Sequence, residues 1–336
     1  MGYQASEKRY DTMQYRRAGK SGLKLPAMSL GLWHNFSRSS NYENAREIVL
    51  KGFDLGITNL DVADCYGPPY GASEEILGKI LREDLKEYRD ELLISTKAGY
   101  DTYPGPYGDF GSRKHMVASL DQSLKRLGLD YVDIFYHHRP DRETPLEETM
   151  ETLSLMVKQG KVLYIGLSNY EPDELARASE ILKNLGTPCI IHQHRYSMLH
   201  RENEKLFPVL EQQGIGAIAF CPLEQGVLTG KYVNGIPKDS RAAGGSMYFN
   251  RDELREENNR KVKKLCEIAE GRNQTMAQMA LAWALEAGRL TSVILGASRP
   301  QQIEDNVKTL ENCQFTEEEL KSIDNILNSA DNSQVK

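Results

Sequence analysis

Eight short apolar runs alternate with amphipathic stretches along this chain, and that alternation constrains the fold more than any other feature. The runs are AMSLGLW (27–33), TNLDVA (58–63), LLISTK (92–97), YVDIFYH (131–137), VLYIGLS (162–168), CIIHQ (189–193), AIAF (217–220) and SVILG (292–296). Each reads as a strand. Between them lie helical patterns such as NAREIVLKGFDLG, ASLDQSLKRLG, ETMETLSLMVKQG and ELARASEILKNLG. Several close on Lys or Arg and then Gly, a helix stop signal. Strands that alternate with helices point to a parallel sheet. Eight such units without a sharp linker fit an α/β (β/α)8 TIM barrel better than an open, doubly wound sheet. Ahead of them MQYRRAG, a Lys-Ser-Gly turn and LKLPAM form a predicted β-hairpin at about residues 14–27. After the seventh strand the Gly-rich segment LEQGVLTGKYVNGIPKDSRAAGGSMYFNRDE reads as a functional loop over the barrel mouth. One domain over residues 1–336 is expected, with a disordered tail at about 327–336.

Composition removes several function classes. With 40% hydrophobic and 27% charged residues the chain can bury a sizeable core. The net charge of −6 comes from interspersed acids and bases, with no basic stripe to grip a phosphate backbone, so no nucleic-acid partner is expected. Five scattered cysteines without a CxxC argue for a reducing compartment and against a disulfide framework or a zinc knuckle. No apolar run reaches the ~20 residues of a membrane span. The polar N-terminus shows no export signal. A cytoplasmic protein without a membrane partner is the expectation.

In such a barrel, chemistry sits at the C-terminal ends of the strands. The polar residues to question there are Asp61, Tyr66, Lys97, His137, His138, Ser168, Asn169, His192, Gln193 and His194. Lys97 ends an apolar strand, where burial disfavours its cation unless a charge partner is near. Asp61, on the neighbouring strand, is the plausible partner. A lysine held charged beside Tyr66 is expected to lower the phenol from its ordinary value of roughly 10. Tyr66 would then suit general-acid work on a carbonyl oxygen. Adjacent His137 and His138 raise a separate question, because neighbouring strand residues face opposite sides. Parity alone does not choose between them, since VDIFYH is apolar on both faces.

Here the chain resembles the aldo-keto reductases over roughly residues 14–326. D-x-A-x-x-Y-G at 61–67, Lys97 and YVDIFYHHRPD at 131–141 match the family's Asp, Tyr, Lys and His tetrad. GLSNY, IHQ, PLEQGVLTGKY and ILGASRPQQIEDN follow in the family's order. The resemblance is strongest to the branch of bacterial glyceraldehyde-3-phosphate and methylglyoxal reductases related to potassium-channel β subunits. It implies NADPH-dependent reduction of a small aldehyde, with Asp61, Tyr66, Lys97 and His138 catalytic. Counting from YVD places the catalytic histidine at His138 and leaves His137 to packing or support. The resemblance assigns the nicotinamide to Trp33, Asp61, Ser168, Asn169 and Gln193, with its ring stacked on Phe220. Cys221, Pro222, Leu223, Gln225, Gly226, Lys231, Ser240 and Arg241 would follow the phosphates, and Gly296, Ser298, Gln302, Asp305 and Asn306 the adenine end. Preference for NADP+ over NAD+ rests on the family and on Arg241 and Arg299. Trp33, Tyr66, Tyr100 and His138 would meet the substrate, with Tyr103 and Phe110 as further pocket walls. Arg139 is the candidate anchor for an anionic group, with Arg113 as a second. Homo-oligomers, tetramers or octamers, are implied by the family alone.

Two other readings have sequence support. HHR and HQH offer imidazoles for a metal-dependent barrel hydrolase. Yet the first and last strands end GLWHNF and ILGAS, without the HxH and aspartate such hydrolases carry, and no metal is expected. A slow or non-catalytic nicotinamide-binding subunit of the channel-β type is the second, and the complete tetrad argues against it. The letters GIGAIA (214–219) mimic a dinucleotide fingerprint but lead into a strand instead of following one.

Overall fold

The computed structural model describes residues 2–238, 240, 242–244 and 254–329. A two-stranded antiparallel hairpin, β1 (Tyr15–Arg17) and β2 (Lys24–Pro26), precedes the barrel. The barrel strands are β3 (Met28–Gly31), β4 (Asn59–Asp61), β5 (Leu93–Ala98), β6 (Val132–His137), β7 (Val162–Ser168), β8 (Cys189–Arg195), β9 (Gly216–Phe220) and β10 (Ser292–Leu295). They form one closed parallel sheet in sequence order, with β10 returning to β3. All eight strand predictions hold, with no end shifted by more than two residues. The helices are α1 (Tyr42–Asp54), α2 (Ala72–Glu83), α3 (Arg113–Leu127), α4 (Leu146–Lys158), α5 (Pro172–Asn184), α6 (Phe207–Gln213), α7 (Glu256–Gly271), α8 (Met276–Leu285), α9 (Pro300–Val307) and α10 (Glu317–Leu327).

Local chemistry sets several of the helix ends. The Ser112 hydroxyl caps α3 at its first turn, and Gly128 closes it in the left-handed region at φ 69°. Thr275 with Gln278, and Thr316 with Glu319, form reciprocal capping boxes on α8 and α10.

Two apolar layers result. The outer one packs the helices onto the barrel. The inner one fills the barrel with Ile134, Tyr136, Ile191, Ile218 and Ile294, and the hairpin adds Ala18 and Leu25 from one end. Lys20 N–H donates to Gly214 O at 2.8 Å, so the hairpin closes the N-terminal end of the barrel and leaves the other end open. Inside, large and small residues alternate. A Cβ on Gly166 would lie 2.3 Å from the Tyr136 ring, and one on Gly31 would lie 2.5 Å from Ile294 Cγ2, so both strands need glycine there. The interior also carries polar side chains. Ser29 meets Ser292 at 2.7 Å and accepts from Asn59 at 2.9 Å. The polarity rises toward the C-terminal mouth, where the predicted site residues converge.

Of the long segment after β9, its early part lies close against the strand ends. Arg241 and much of the Gly-rich stretch fall outside the described residues, as do residues 330–336 of the predicted tail.

Candidate active site

Strand register brings the tetrad together. Asp61 ends β4 opposite Ser95 of β5, and Lys97 lies two residues further on, on the same inner face. Lys97 Nζ donates to Asp61 Oδ2 at 2.6 Å, to Val62 O at 2.8 Å and to Tyr66 Oη at 3.2 Å. Those three contacts use the three protons of an ammonium group. Asp61 Oδ1 accepts from Ser95 Oγ at 2.9 Å and from Gln193 Nε2 at 3.2 Å. Both charges of this wholly buried pair are therefore hydrogen-bonded as well as paired. Tyr66 follows in the loop after β4, its ring stacked 5.9 Å from that of Trp33. Because Tyr66 Oη accepts from Lys97, its own proton is free to point into the mouth.

The charge state of Tyr66 corrects the expectation from sequence. Its phenol lies well above the ordinary value, pushed there first by burial and then by the Asp61 carboxylate. Lys97 sits nearer Asp61 than Tyr66, so its charge is largely neutralised before it reaches the phenol. Tyr66 is therefore a protonated phenol at rest.

The two histidines lie in different surroundings. His138 follows β6, its ring edge-on to Tyr100 at 4.7 Å and to Tyr66 at 6.0 Å. Cys65 Sγ contacts its Nδ1 at 3.8 Å. Among the described residues no hydrogen bond reaches its Nε2. Burial, then the Lys97 charge, drives His138 well below the usual imidazole range, so it is a neutral donor. His137 lies on the other face, its Nδ1 2.6 Å from Tyr170 Oη under α4, and burial holds it at about 4. His192 and His194 also point away from the mouth, contacting each other at 3.1 Å through Nδ1, and burial lowers both. Three of the four imidazoles of the hydrolase reading, His137, His192 and His194, thus lie away from Tyr66, with His137 Nδ1 on Tyr170 Oη and His192 Nε2 accepting from Tyr170 N–H.

The residues expected to hold a dinucleotide lie along one edge of the mouth, on the ends of β7 to β10. Ser168 ends β7 and is buried. Asn169 follows at φ 60°, its Nδ2 donating to His138 O and Ser168 Oγ while Oδ1 stays unpartnered and exposed. Gln193 is buried on Asp61, a bond the sequence did not suggest. Phe220 ends β9 half-buried against the inner layer. Beyond it Cys221, Pro222, Leu223, Gln225 and Gly226 form a tight turn, with Cys221, Glu224, Gln225 and Gly226 at positive φ. Buried Glu224 fastens that turn to the end of β8 through Arg195 Nε at 2.9 Å and through Ser197. Lys231 is exposed beside Gly226. Ser240 is buried and donates to Pro237 O at 2.6 Å, a local bond and not an open one. Gly296 has nothing within 4 Å of its Cβ direction. Ser298 donates to Gln302 Oε1 at 2.8 and 3.1 Å, and exposed Asp305 and buried Asn306 follow on α9. An exposed amide oxygen, an aromatic face, an open glycine and an exposed amine, in that order, suit a nicotinamide, its phosphates and its adenosine.

On the substrate side, Trp33 and Tyr100 flank Tyr66 and His138. Arg139 stacks between Tyr100 at 4.4 Å and Phe110 at 4.9 Å. Its Nε donates to Gly99 O and its Nη2 to both oxygens of Asp109. Arg113 instead pairs with Glu151 between exposed helix faces. Ser95, Cys65 and Asp109 were missed from sequence. Ser95 was discoverable, because it shares strand parity with Lys97; the other two contacts carry no periodic signal.

Residues 27–328 match the model of the Aldo/keto reductase family. The chain is 53% identical over 329 residues to the L-glyceraldehyde 3-phosphate reductase of Escherichia coli strain K12, covering 96% of this chain and 95% of that protein. It is 38% identical over 307 residues to the "Probable voltage-gated potassium channel subunit beta" of Arabidopsis thaliana, covering 89% of this chain and 92% of the other. The rice protein of the same name is 36% identical over 305 residues, covering 89% and 92%.

The lowered imidazoles fix a pH dependence. His137 stays neutral in the fold down to about 4, whereas unfolded histidine takes a proton below about 6.5. The unfolded state therefore binds more protons between those values, and stability is lost as pH falls through 6.5. A His137→Gln variant is expected to lose less stability than the parent between pH 7.5 and 5, the gap narrowing by about 1.4 kcal/mol per pH unit below 6.5. Urea unfolding at each pH measures this; parallel curves would contradict it.

Proposed function

The chain belongs to the aldo/keto reductase family, and we propose that within it the protein reduces small aldehydes, glyceraldehyde 3-phosphate and methylglyoxal among them, with NADPH in the cytoplasm. The observation that carries this is Tyr66 Oη, set 3.2 Å from a buried Lys97 and flanked by His138 at the open end of the barrel. A nicotinamide bound along the β7–β10 rim would supply the hydride. Trp33, Ser168, Asn169, Gln193 and Phe220 would hold its reactive end, and Lys231 with the turn at 221–226 its phosphates. Everything else is work for the protein.

His138, neutral and beside Tyr66, donates a hydrogen bond to the carbonyl oxygen and sets its direction. Tyr66 gives its phenolic proton to that oxygen as hydride reaches the carbon, and the product is the alcohol. The tyrosinate left behind faces the Lys97 ammonium, which stabilises it until solvent returns a proton. The pair with Asp61 keeps Lys97 charged at the barrel centre, where an unpaired ammonium would lose its proton. Arg139 stands one aromatic ring from His138, a position suited to a phosphate or carboxylate on the far end of a short aldehyde. The subunit also assembles as a tetramer or octamer on this reading, which sedimentation velocity measures directly.

Tyr66→Phe is expected to abolish NADPH oxidation with methylglyoxal and glyceraldehyde 3-phosphate, a loss of at least about 100-fold, while NADPH binding persists. His138→Ala is expected to cost more in kcat than His137→Ala, and the reverse order would refute the assignment. Fluorescence titration is expected to give a lower Kd for NADPH than for NADH; equal values would sink the NADP preference.

A further inference from the structure

Arg139 is held in an unusual way for a substrate anchor. Its guanidinium is clamped flat between Tyr100 and Phe110, and one edge is already occupied by a carboxylate, Asp109, at 2.7 and 2.9 Å. Nε is tied to Gly99 O at 2.7 Å, and Nη1 makes no hydrogen bond. Both members of the pair are part-exposed, each with 29% of its side-chain surface open. Part-exposed pairs are individually weak, so this carboxylate is a displaceable partner.

Asp109 Oδ1 also accepts from Phe110 N–H at 2.7 Å, so among the described residues the Arg139 pair is the carboxylate's one hydrogen-bonded contact beyond its neighbour, in a loop held at both ends. Its preceding turn closes on itself, with Thr102 N–H donating to Gly108 O at 3.0 Å and Tyr103 Oη to Tyr107 O at 2.6 Å. A Cβ on Gly108 would lie 2.0 Å from Tyr103 O, so the turn tolerates only glycine there. On the other side Gly111 N–H is fixed to Asp141 Oδ2 at 2.9 Å. Asp109 and Phe110 form a two-residue bridge between these fixed points, and Phe110 sits at φ 67°, where a non-glycine residue is strained. Phe110 is also 39% exposed although it covers the guanidinium.

We infer that Asp109 is a specificity gate: its carboxylate occupies the anion site on Arg139, and a substrate phosphate displaces it, swinging Asp109 and Phe110 aside. This rests on the reading of Arg139 as the anchor for an anionic aldehyde. A phosphate offers more acceptor oxygens and greater charge than the carboxylate, so it replaces Asp109 on Nη2 and recruits Nη1 with a second oxygen. Uncharged aldehydes leave the bridge in place. Asp109 thereby sets how strongly the enzyme prefers phosphorylated over neutral substrates.

The test is the ratio of kcat/KM for glyceraldehyde 3-phosphate to that for methylglyoxal. Asp109→Asn removes the competing charge and keeps the side-chain shape. The ratio is expected to rise about tenfold at low salt, mainly through KM for the phosphorylated substrate, and the gain to shrink at high ionic strength. Inorganic phosphate should become a correspondingly stronger competitive inhibitor of methylglyoxal reduction. Arg139→Met is expected to lower the ratio, and adding Asp109→Asn to it should then change nothing. If Arg139→Met lowers the ratio and Asp109→Asn leaves it flat or lowers it, the gate is wrong and the anchor stands. A ratio insensitive to both substitutions overturns both. An Asp109→Asn effect equal for the two substrates, or one that survives in the Arg139→Met background, assigns Asp109 a structural role and overturns the gate.

Discussion

A buried ion pair organises this molecule. Taking a lysine and an aspartate out of water is costly, and their attraction offsets that cost only with good geometry and further hydrogen bonds. Here the pair is completed by Val62 O, Ser95 Oγ and the Gln193 amide, drawn from β4, the turn after it, β5 and β8. No local segment supplies that set. Only a barrel closed in the observed register places β5 beside β4 and turns Gln193 inward from across the interior. The site is thus a consequence of closure, and it sits where the inner layer passes from isoleucine and tyrosine to polar side chains.

The same pair explains why one imidazole and one phenol take the roles they do. Lys97 commits two of its protons to Asp61 and Val62 and has one left, which goes to Tyr66. Burial, with the Lys97 charge second, keeps His138 from protonating. The mouth therefore holds two neutral donors, Tyr66 and His138, over a single internally balanced charge. That suits a carbonyl oxygen, which needs donors as negative charge develops and would be poorly served by groups already ionised.

How much of this was legible depended on whether a feature repeats. The eight strands alternate with helices, and that period survives every local irregularity, so the barrel and the rim positions of Asp61, Lys97, His138, Ser168 and Phe220 followed from it. The outer-facing role of His137 needed the family motif, because VDIFYH is apolar on both faces and parity gave no preference. Its partner, Tyr170, lies across β7 and announces itself by no spacing. Asp109 and Cys65 were unreadable for the same reason: both act through loops whose approach to Arg139 and His138 is decided by tertiary packing. Ser240 shows the opposite failure. Its placement in a Gly-rich loop suggested an open phosphate ligand, and the fold turns the hydroxyl inward onto Pro237.

Tyr66 marks where reasoning from pairs of charges goes astray. A lysine beside a tyrosine acidifies it only while the lysine has charge to spare, and Asp61, at 2.6 Å against 3.2 Å for Tyr66, takes most of that field. Burial then dominates and keeps the phenol protonated. The consequence is directional. A phenol that resists ionisation at rest releases its proton only to a strong acceptor, such as an oxygen gaining charge during hydride transfer. It also leaves the lysine as the one group able to steady the tyrosinate that follows. On the proposed mechanism Lys97 would act on the state that forms during reaction more than on the resting residue, and differential stabilisation of that kind is what accelerates a chemical step.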